Sequence, residues 1–584
     1  MTTSVQPDFF KSKVLGHPAG LFVLFFTEMW ERFSFYGMRI LLIQFLTAKV
    51  LFGDPMSGWG WTPEQAGALY GTYAMLLYIT PIFGGIIADR YIGSRWAIII
   101  GAIIMTLGHA AMGFDTVPTF FVGLGLLVLG TGFFKPNMPA ILGEMYKFLP
   151  EKKDGAFTIF YMGVNAGAFF GMMLCGYIAE SIGWHWGFGL AGIFMLLGTL
   201  QFALARPLMG ELGAPKKQIA HDVTTHASAD TDKRNPFTTL DYILMTIVGV
   251  VGLIYAFNDP LSKNEVIDVF AFMDTSWLRG QYIMILIALF LFLYLIISRI
   301  NRYDTIVRNR MFGVILLAFF MIFFFMSFEQ GATSLVLVAR DYIDRELTGN
   351  GLLIFNIVNT LLTILPLVII SYVLIKLAIV TWKKIALSNV ILFTCFILIW
   401  CIAIWMLYRE YAAEASAIKV SWFSILNSFF IIALASTVSK LWDSKYNPSA
   451  AFKYGFGLIL VAIGFLILAI GSAGISEGVK ISMVFLVLTY LFHTLGELFI
   501  SPVGLSYVSK LVPIRMLAFM YGMWYLAIAI AQKTAALLGG QVQTIKESYS
   551  LSHFFFLFTI IPAAAGLLVI ILNPVLKKLM SGVK

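Results

Sequence analysis

Apolar runs of about 20 residues, the length needed to cross a bilayer as a helix, recur along almost the whole chain. They fall at about 21–51, 66–88, 96–114, 118–146, 156–180 and 187–206. After a polar stretch at 207–237 they resume at about 239–257, 280–299, 311–339, 351–378, 385–408, 417–441, 453–471, 481–508, 516–540 and 553–576. Only 12% of the 584 residues are charged, against about 25% in soluble domains. These observations predict an all-α, multi-pass membrane protein of about sixteen helices.

Loop charge tests that count. With the N-terminus inside, inner loops carry Arg90/Arg95, Lys147/Lys152/Lys153, Lys216/Lys217/Lys233/Arg234 and Arg299/Arg302/Arg308/Arg310. Later inner loops carry Lys376/Lys383/Lys384, Lys440/Lys445, Lys510/Arg515 and Lys577/Lys578. Opposite loops are poorer in bases and hold acids such as Asp115, Glu180 and Asp341/Asp344/Glu346, the last group also including Arg340 and Arg345. The positive-inside bias therefore places both termini in the cytoplasm, and the net charge of +9 needs no nucleic-acid partner. Cys175, Cys395 and Cys401 lie in apolar segments without ligand spacing and read as small core residues. The N-terminus has no signal-peptide pattern.

Charge inside the first span is the strongest functional signal. Glu28, Glu31/Arg32, Phe35/Tyr36 and Arg39 recur every three or four positions and share one helix face. An unpaired intramembrane charge costs about 2.5 to over 10 kcal/mol, so such groups face a bundle interior or an aqueous path. Further polar positions interrupt later spans: Lys135 before Pro136, which should kink its helix, then Asn165, Glu329, Asn427, Glu497 and Trp524. A cavity holding Arg39 and Lys135 on one side and Glu497 on the other suits a zwitterion, the bases taking a carboxylate and the acid an ammonium. Asn165 and Asn427 add neutral hydrogen bonds, and Tyr36, Tyr78 and Trp524 could line side-chain pockets. Lys533 is expected to snorkel to the outer surface. His109, His185, His493 and His553 form no ligand-spaced cluster, so no metal is expected. Gly130–Lys135 lacks the Gly-Lys-Ser/Thr ending of a nucleotide loop, and no nucleophile–base pattern points to an enzyme.

The chain resembles the proton-dependent oligopeptide transporter family of the major facilitator superfamily. The resemblance rests on Glu28-x-x-Glu31-Arg32, on Gly84-Gly85-Ile-Ile-Ala-Asp89-Arg90-Tyr-Ile-Gly93-Ser-Arg95, on Phe160 to Gly167 and on Gly496 to Leu505, in the family's order. It implies two six-helix bundles with the site between them near mid-membrane. The implied division is an N-terminal bundle at 1–206, a linker and inserted helix pair at 207–310, and a C-terminal bundle at 311–584 with an extra pair at about 351–408. It implies a monomer in the bacterial inner membrane that imports di- and tripeptides with protons by alternating access, needing no cofactor beyond the proton gradient. Glu28, Glu31, Arg32, Lys135 and Glu329 would couple protons. Tyr36, Arg39, Tyr78, Lys135, Asn165, Glu329, Asn427, Glu497 and Trp524 would bind peptide. Asp89, Arg90 and Arg95 would belong to a cytoplasmic gate. Phe35 stands where many relatives have tyrosine, and Gly71 where animal members have a proton-linked histidine. Another solute within the family, such as a peptide-like drug, nitrate or an amino-acid derivative, and a non-transporting receptor or scaffold are the competing readings.

Overall fold

The structure is a computed structural model that describes residues 11–114, 116–215, 235–442, 444, 448–474, 479–512 and 517–580. Asp115, Lys216, Lys217, Lys233, Arg234, Lys445 and Arg515 lie outside the described residues, as do the side chains of Pro502 and Leu505. Helices dominate. The first half contains α1 (Ala19–Thr47), α2 (Pro63–Ile87), α3 (Ser94–Gly113), α4 (Val117–Phe134), α5 (Lys153–Ser181) and α6 (Trp184–Leu204). There follow α7 (Thr239–Lys263), α8 (Gly280–Ile300), α9 (Thr305–Phe328) and α10 (Gly349–Ala412). The chain continues with α11 (Val420–Trp442), α12 (Ala450–Gly471), α13 (Met483–Leu511), α14 (Leu517–Gly540) and α15 (Leu551–Ile571).

Thirteen of the described helices are long and apolar enough to cross a membrane. One of them, α10, runs 64 residues, about three bilayer thicknesses at 1.5 Å per residue. Its helix breaks at Ile385, where φ is −136° and ψ 47°. Trp400 donates to Ser371 and Asn356 donates to the Glu410 carbonyl, so the two arms run antiparallel and cross the membrane twice. The charged α1 and the polar-interrupted α14 bring the crossings to the expected sixteen. The predicted break at Pro136 is also present: α4 stops at Phe134 and a second helix, Asn137–Met145, completes the span.

An even number of crossings puts the two ends on one side, here the terminal face, with the opposite side the far face. Small residues allow α1 and α5 to touch. Gly163, Gly167 and Gly171 recur every fourth position on α5, and a Cβ on them would lie within 2.9 Å of the backbone oxygens of Phe25, Met29 and Phe33. Backbones approach this closely in membranes because only van der Waals contact and hydrogen bonding, not water exclusion, drives helix association. The acids and bases of α1 are thereby fixed against α5.

Two cross-bundle seams run through the molecule. On one, α2 packs against α14; on the other, α5 packs against α11. Each carries an inserted pair. The α7–α8 pair lies on α2, while α10 lies on α6 and α5, although its sequence falls between helices of the second bundle. Ser388 of α10 donates to the Gln201 carbonyl, and Phe396 packs edge-on against Trp30 and Phe26. Among the described residues, the hydrogen bonds joining the bundles lie at the level of Arg39 or nearer the far face. Glu180 of α5 accepts from the backbone N–H groups of Val420 and Ser421 at 2.8 and 3.1 Å. Arg340 donates to Thr47 at 2.8 Å. The far face is closed.

Two expectations change. Cys401 is exposed on an outward face, whereas Cys175 and Cys395 are buried. The span expected at 239–257 extends to Lys263 and takes Asn258, Asp259 and Lys263 into buried helix.

The glycine contacts predict a specific sensitivity. Gly167→Ala places a methyl 2.2 Å from the Met29 carbonyl oxygen and should cost about 2 kcal/mol, the usual scale of overpacking. Gly125→Ala meets nothing within 4 Å and should leave thermal stability in detergent unchanged. Equal melting temperatures for the two variants would show that the α1–α5 contact is not tight.

Candidate functional site

The charged face of α1 is buried within the first bundle: Glu31 is 1% exposed, Glu28 5% and Arg32 8%. Arg32 Nε donates to Glu28 Oε1 at 2.8 Å, one helical turn away, and stands 2.7 Å from Glu31 Oε2. The contact with Glu31 is an ion pair without hydrogen-bond alignment, so both Glu31 carboxyl oxygens lack a hydrogen-bond partner in the structure. One guanidinium therefore faces two carboxylates. Its planar fork can address two acceptors where a lysine would present a point charge. Lys135, at the broken end of α4, does not make an ion pair with either acid among the described residues. Its ammonium sits 4.0 Å from the centre of the Tyr78 ring, a cation–π contact.

One turn and more beyond Arg32, α1 reaches across to the second bundle. The Arg39 guanidinium pairs with Glu329 at the C-terminal end of α9, and its Nε donates to the Tyr70 hydroxyl at 2.5 Å. Gln532 of α14 donates to the other Glu329 oxygen at 2.7 Å. Glu329 is thus held from both bundles at once. The helix end explains its availability: α9 gives way to a tighter turn over Glu329–Ala332, and Gln330 ties that turn to α14 by donating to the Ala535 carbonyl. The Arg39 guanidinium stands 5.9 Å from the Tyr36 ring centre. Phe35 packs edge-on against Tyr36 at 4.9 Å, with Arg32 5.6 Å from its ring centre. The missing hydroxyl at position 35 is replaced by an aromatic surface facing two guanidinium groups.

On the second bundle, Asn427 of α11 donates to Glu497 at 2.9 Å and to Thr494 at 3.1 Å, both on α13. This joins the two sequence-predicted polar positions directly. Asn165 behaves otherwise: its amide donates to the Tyr161 carbonyl of its own helix. Trp524 is 2% exposed, and its indole packs where a Cβ on Gly504 would fall. Asp89 and Arg90 are exposed in a wide helical turn at the terminal-face end of α2. Arg95 donates to the Gly210 carbonyl within the first bundle. Among the described residues no cluster of His, Cys, Asp or Glu could hold a metal ion.

Sequence reasoning missed Tyr70 and Gln532, which complete the shells around Arg39 and Glu329. A polar Gln532-Lys533-Thr534 run within an apolar span was the available signal. Lys533 was expected at the surface, but it is 4% exposed and pairs with Asp259 at 2.5 Å. A buried counter-charge on α7 removed the reason to snorkel.

Comparison with known proteins bears on this arrangement. Residues 95–407 and 378–555 match the family described as POT. The peptide transporter YePEPT of Yersinia enterocolitica subsp. palearctica is 30% identical over 538 residues, covering 90% of this chain and 88% of that protein. A di-/tripeptide transporter of Lactococcus lactis subsp. cremoris is 28% identical over 574 residues, covering 97% and 98%. A crystal structure of a peptide transporter POT in complex with sulfate superposes with a TM-score of 0.71 at 28% identity, covering 98% of this chain and 97% of that one. With the family matched over most of its length and the fold shared from end to end, the chain belongs to the POT family of multi-pass membrane transporters.

Proposed function

We propose that this protein is a proton-coupled symporter that imports di- and tripeptides by alternating access. The observation that carries this reading is the Arg39–Glu329 pair, which spans the two bundles and is flanked by the Glu28–Glu31–Arg32 cluster. The names of the Yersinia and Lactococcus relatives support the substrate class. In this reading the terminal face is cytoplasmic and the chain works as a monomer in the bacterial inner membrane. The proton gradient supplies the energy and no cofactor is needed. Asp89, Arg90 and Arg95 belong to the cytoplasmic gate.

The chemistry is a competition for cations. A peptide carboxylate and Glu329 both seek the Arg39 guanidinium. Protonation of Glu329 from the outside releases Arg39 to the peptide, and loss of that proton to the cytoplasm restores the pair and expels the carboxylate. Peptide and proton then favour each other's binding, with equal coupling in both directions. The α1 cluster acts alongside. Two carboxylates share one guanidinium, leaving an excess negative charge that a proton can neutralise. Lys135, resting on Tyr78, is a cation available to a second carboxylate. Glu497, oriented by Asn427, takes the peptide ammonium, and Tyr36, Asn165 and Trp524 complete the peptide-binding set. The membrane potential contributes about 2.3 kcal/mol per proton per 100 mV.

Uptake of labelled dialanine into proteoliposomes, with and without an inward proton gradient, tests this reading. Native protein should accumulate the dipeptide only with the gradient, and unlabelled tripeptide should compete while nitrate should not. Glu28→Gln and Glu31→Gln should lose gradient-driven accumulation but retain counterflow. Full accumulation in both variants would remove the α1 acids from coupling, and competition by nitrate alone would overturn the substrate.

Gln532→Leu should also be informative, because it deprives Glu329 of its second-bundle donor. A lost hydrogen bond to a charged group is worth about 1.5–3 kcal/mol, so the pH at which half-maximal uptake occurs should move, with Gln532→Glu failing to restore it. An unchanged pH profile in Gln532→Leu would assign the contact to packing alone.

A further inference from the structure

The α7–α8 pair is attached to the bundles by a network of charge centred on a buried aspartate. Asp259 of α7 is 0% exposed. Its Oδ2 accepts from Lys533 of α14 at 2.5 Å, and its Oδ1 accepts from Gln281 of α8 at 3.1 Å. Lys263, one turn further along α7, lies 3.7 Å from Asp259 and 3.4 Å from Glu64 of α2. Two cations and two anions thus balance across three helices, in the far-face half of the membrane.

The network is shared unevenly between the bundles. Besides its ion pair, α7 is tied to α2: Thr72 donates to the Ala256 carbonyl at 2.7 Å, and Gln65 to the Lys263 carbonyl at 3.4 Å. Lys533 is the contribution of α14, and it donates to Asp259, to Thr72 at 2.9 Å and to the Ala68 carbonyl at 3.0 Å. Every one of its acceptors therefore rides with α2 and the inserted pair. Gly71 leaves the room this requires, since a Cβ there would lie 3.1 Å from Lys533 Cδ and 2.8 Å from Ala536 Cβ. Opening the far face means drawing α14 away from α2, and Lys533 cannot keep these partners when that happens.

We propose that the inserted pair α7–α8 serves as the counter-charge for the far-face gate, Asp259 and Lys533 forming a gating pair that holds α14 against α2. The inference rests on the alternating-access reading above. Leaving the buried Lys533 ammonium without its carboxylate is costly, so the pair favours the closed far face, and its removal shifts the balance toward the open one. Asp259 and Lys533 set how often the site meets the outside. Neither touches the groups assigned to peptide.

Spin labels at Phe52 and Thr544, both exposed on the far face of opposite bundles, can test this in full-length protein carrying Cys401→Ser to remove the exposed native thiol. Pulsed electron–electron distances should show mainly the short, closed separation in the native background. Asp259→Asn and Lys533→Gln should each raise the long-distance population by about tenfold or more, because removing one partner leaves the other charge buried and uncompensated in the closed state. The double variant should add little to either single one, as residues of one pair do. Unchanged distances in both single variants, with only a lower melting temperature, would overturn the proposal and leave the network structural. So would strictly additive shifts. Dipeptide uptake measured on the same samples separates the two readings. Distances that move in protein without peptide uptake refute the substrate, and intact uptake in native protein with immobile distances in the variants refutes the gating pair.

Discussion

A charge placed within hydrocarbon must meet its counter-charge inside the protein, and this requirement decides which helices stand together. Arg32 binds two acids of its own helix, so the α1 cluster is satisfied within one bundle. Arg39, two turns on, finds its acid only on α9 in the other bundle. Lys533 finds its acid on a helix that belongs to neither. The same constraint acts on three levels: within a helix, between bundles, and between the core transporter and its insertion. The glycine face of α5 makes the first of these possible by bringing its backbone against α1, so that the acids lie in the packed interior and away from lipid.

Polar groups around these charges then fix their geometry. Tyr70 and Gln532 approach Arg39 and Glu329 from opposite bundles. Neither is charged, so neither adds a further burial cost of an ion. Each still directs a specific atom: the phenol occupies Arg39 Nε and leaves its terminal nitrogen to Glu329, while the amide occupies one carboxyl oxygen and leaves the other to Arg39. A pair defined this way has two arrangements, made and broken, with little between them. That is the property a conformational switch needs.

The two inserted pairs occupy opposite seams by different means. The α7–α8 pair is fastened by ions and hydrogen bonds to α2 and α14. The α10 pair is fastened to α6 and α1 by aromatic packing and a serine–carbonyl bond. Near the far face it meets α5 and α11 around a small cavity lined by residues including Asn359, Glu410 and Trp422. Its connections to the second bundle pass through a short ribbon in which Glu346–Thr348 pairs with Ala415–Ala417. The pair is thus continuous in sequence with one bundle and packed on the other.

How much of this could be read from the chain follows from the range of each interaction. The sixteen crossings were legible because hydrophobic length is a local property, and so was the α1 stripe, whose spacing is local too. The break at Pro136 needed only one residue. The Asn427–Glu497 contact was foreseeable as a shared cavity but not as a bond, since the two residues lie 70 positions apart. Lys135 was grouped with the α1 acids as a coupling residue, yet its ammonium rests on an aromatic face, a contact that charge counting does not include. Asp259 shows the limit most clearly. The apolar run ends at Phe257, just before Asn258-Asp259-Pro260. The partner of Asp259 lies 274 residues away, and only the fold brings that lysine to it. Pairing cancels most of the burial penalty that made Asp259 look like a loop residue, so the helix runs on to Lys263. Where a charge has a distant partner, sequence hydropathy places the end of the helix too early, and the misplaced end is itself a mark of the contact.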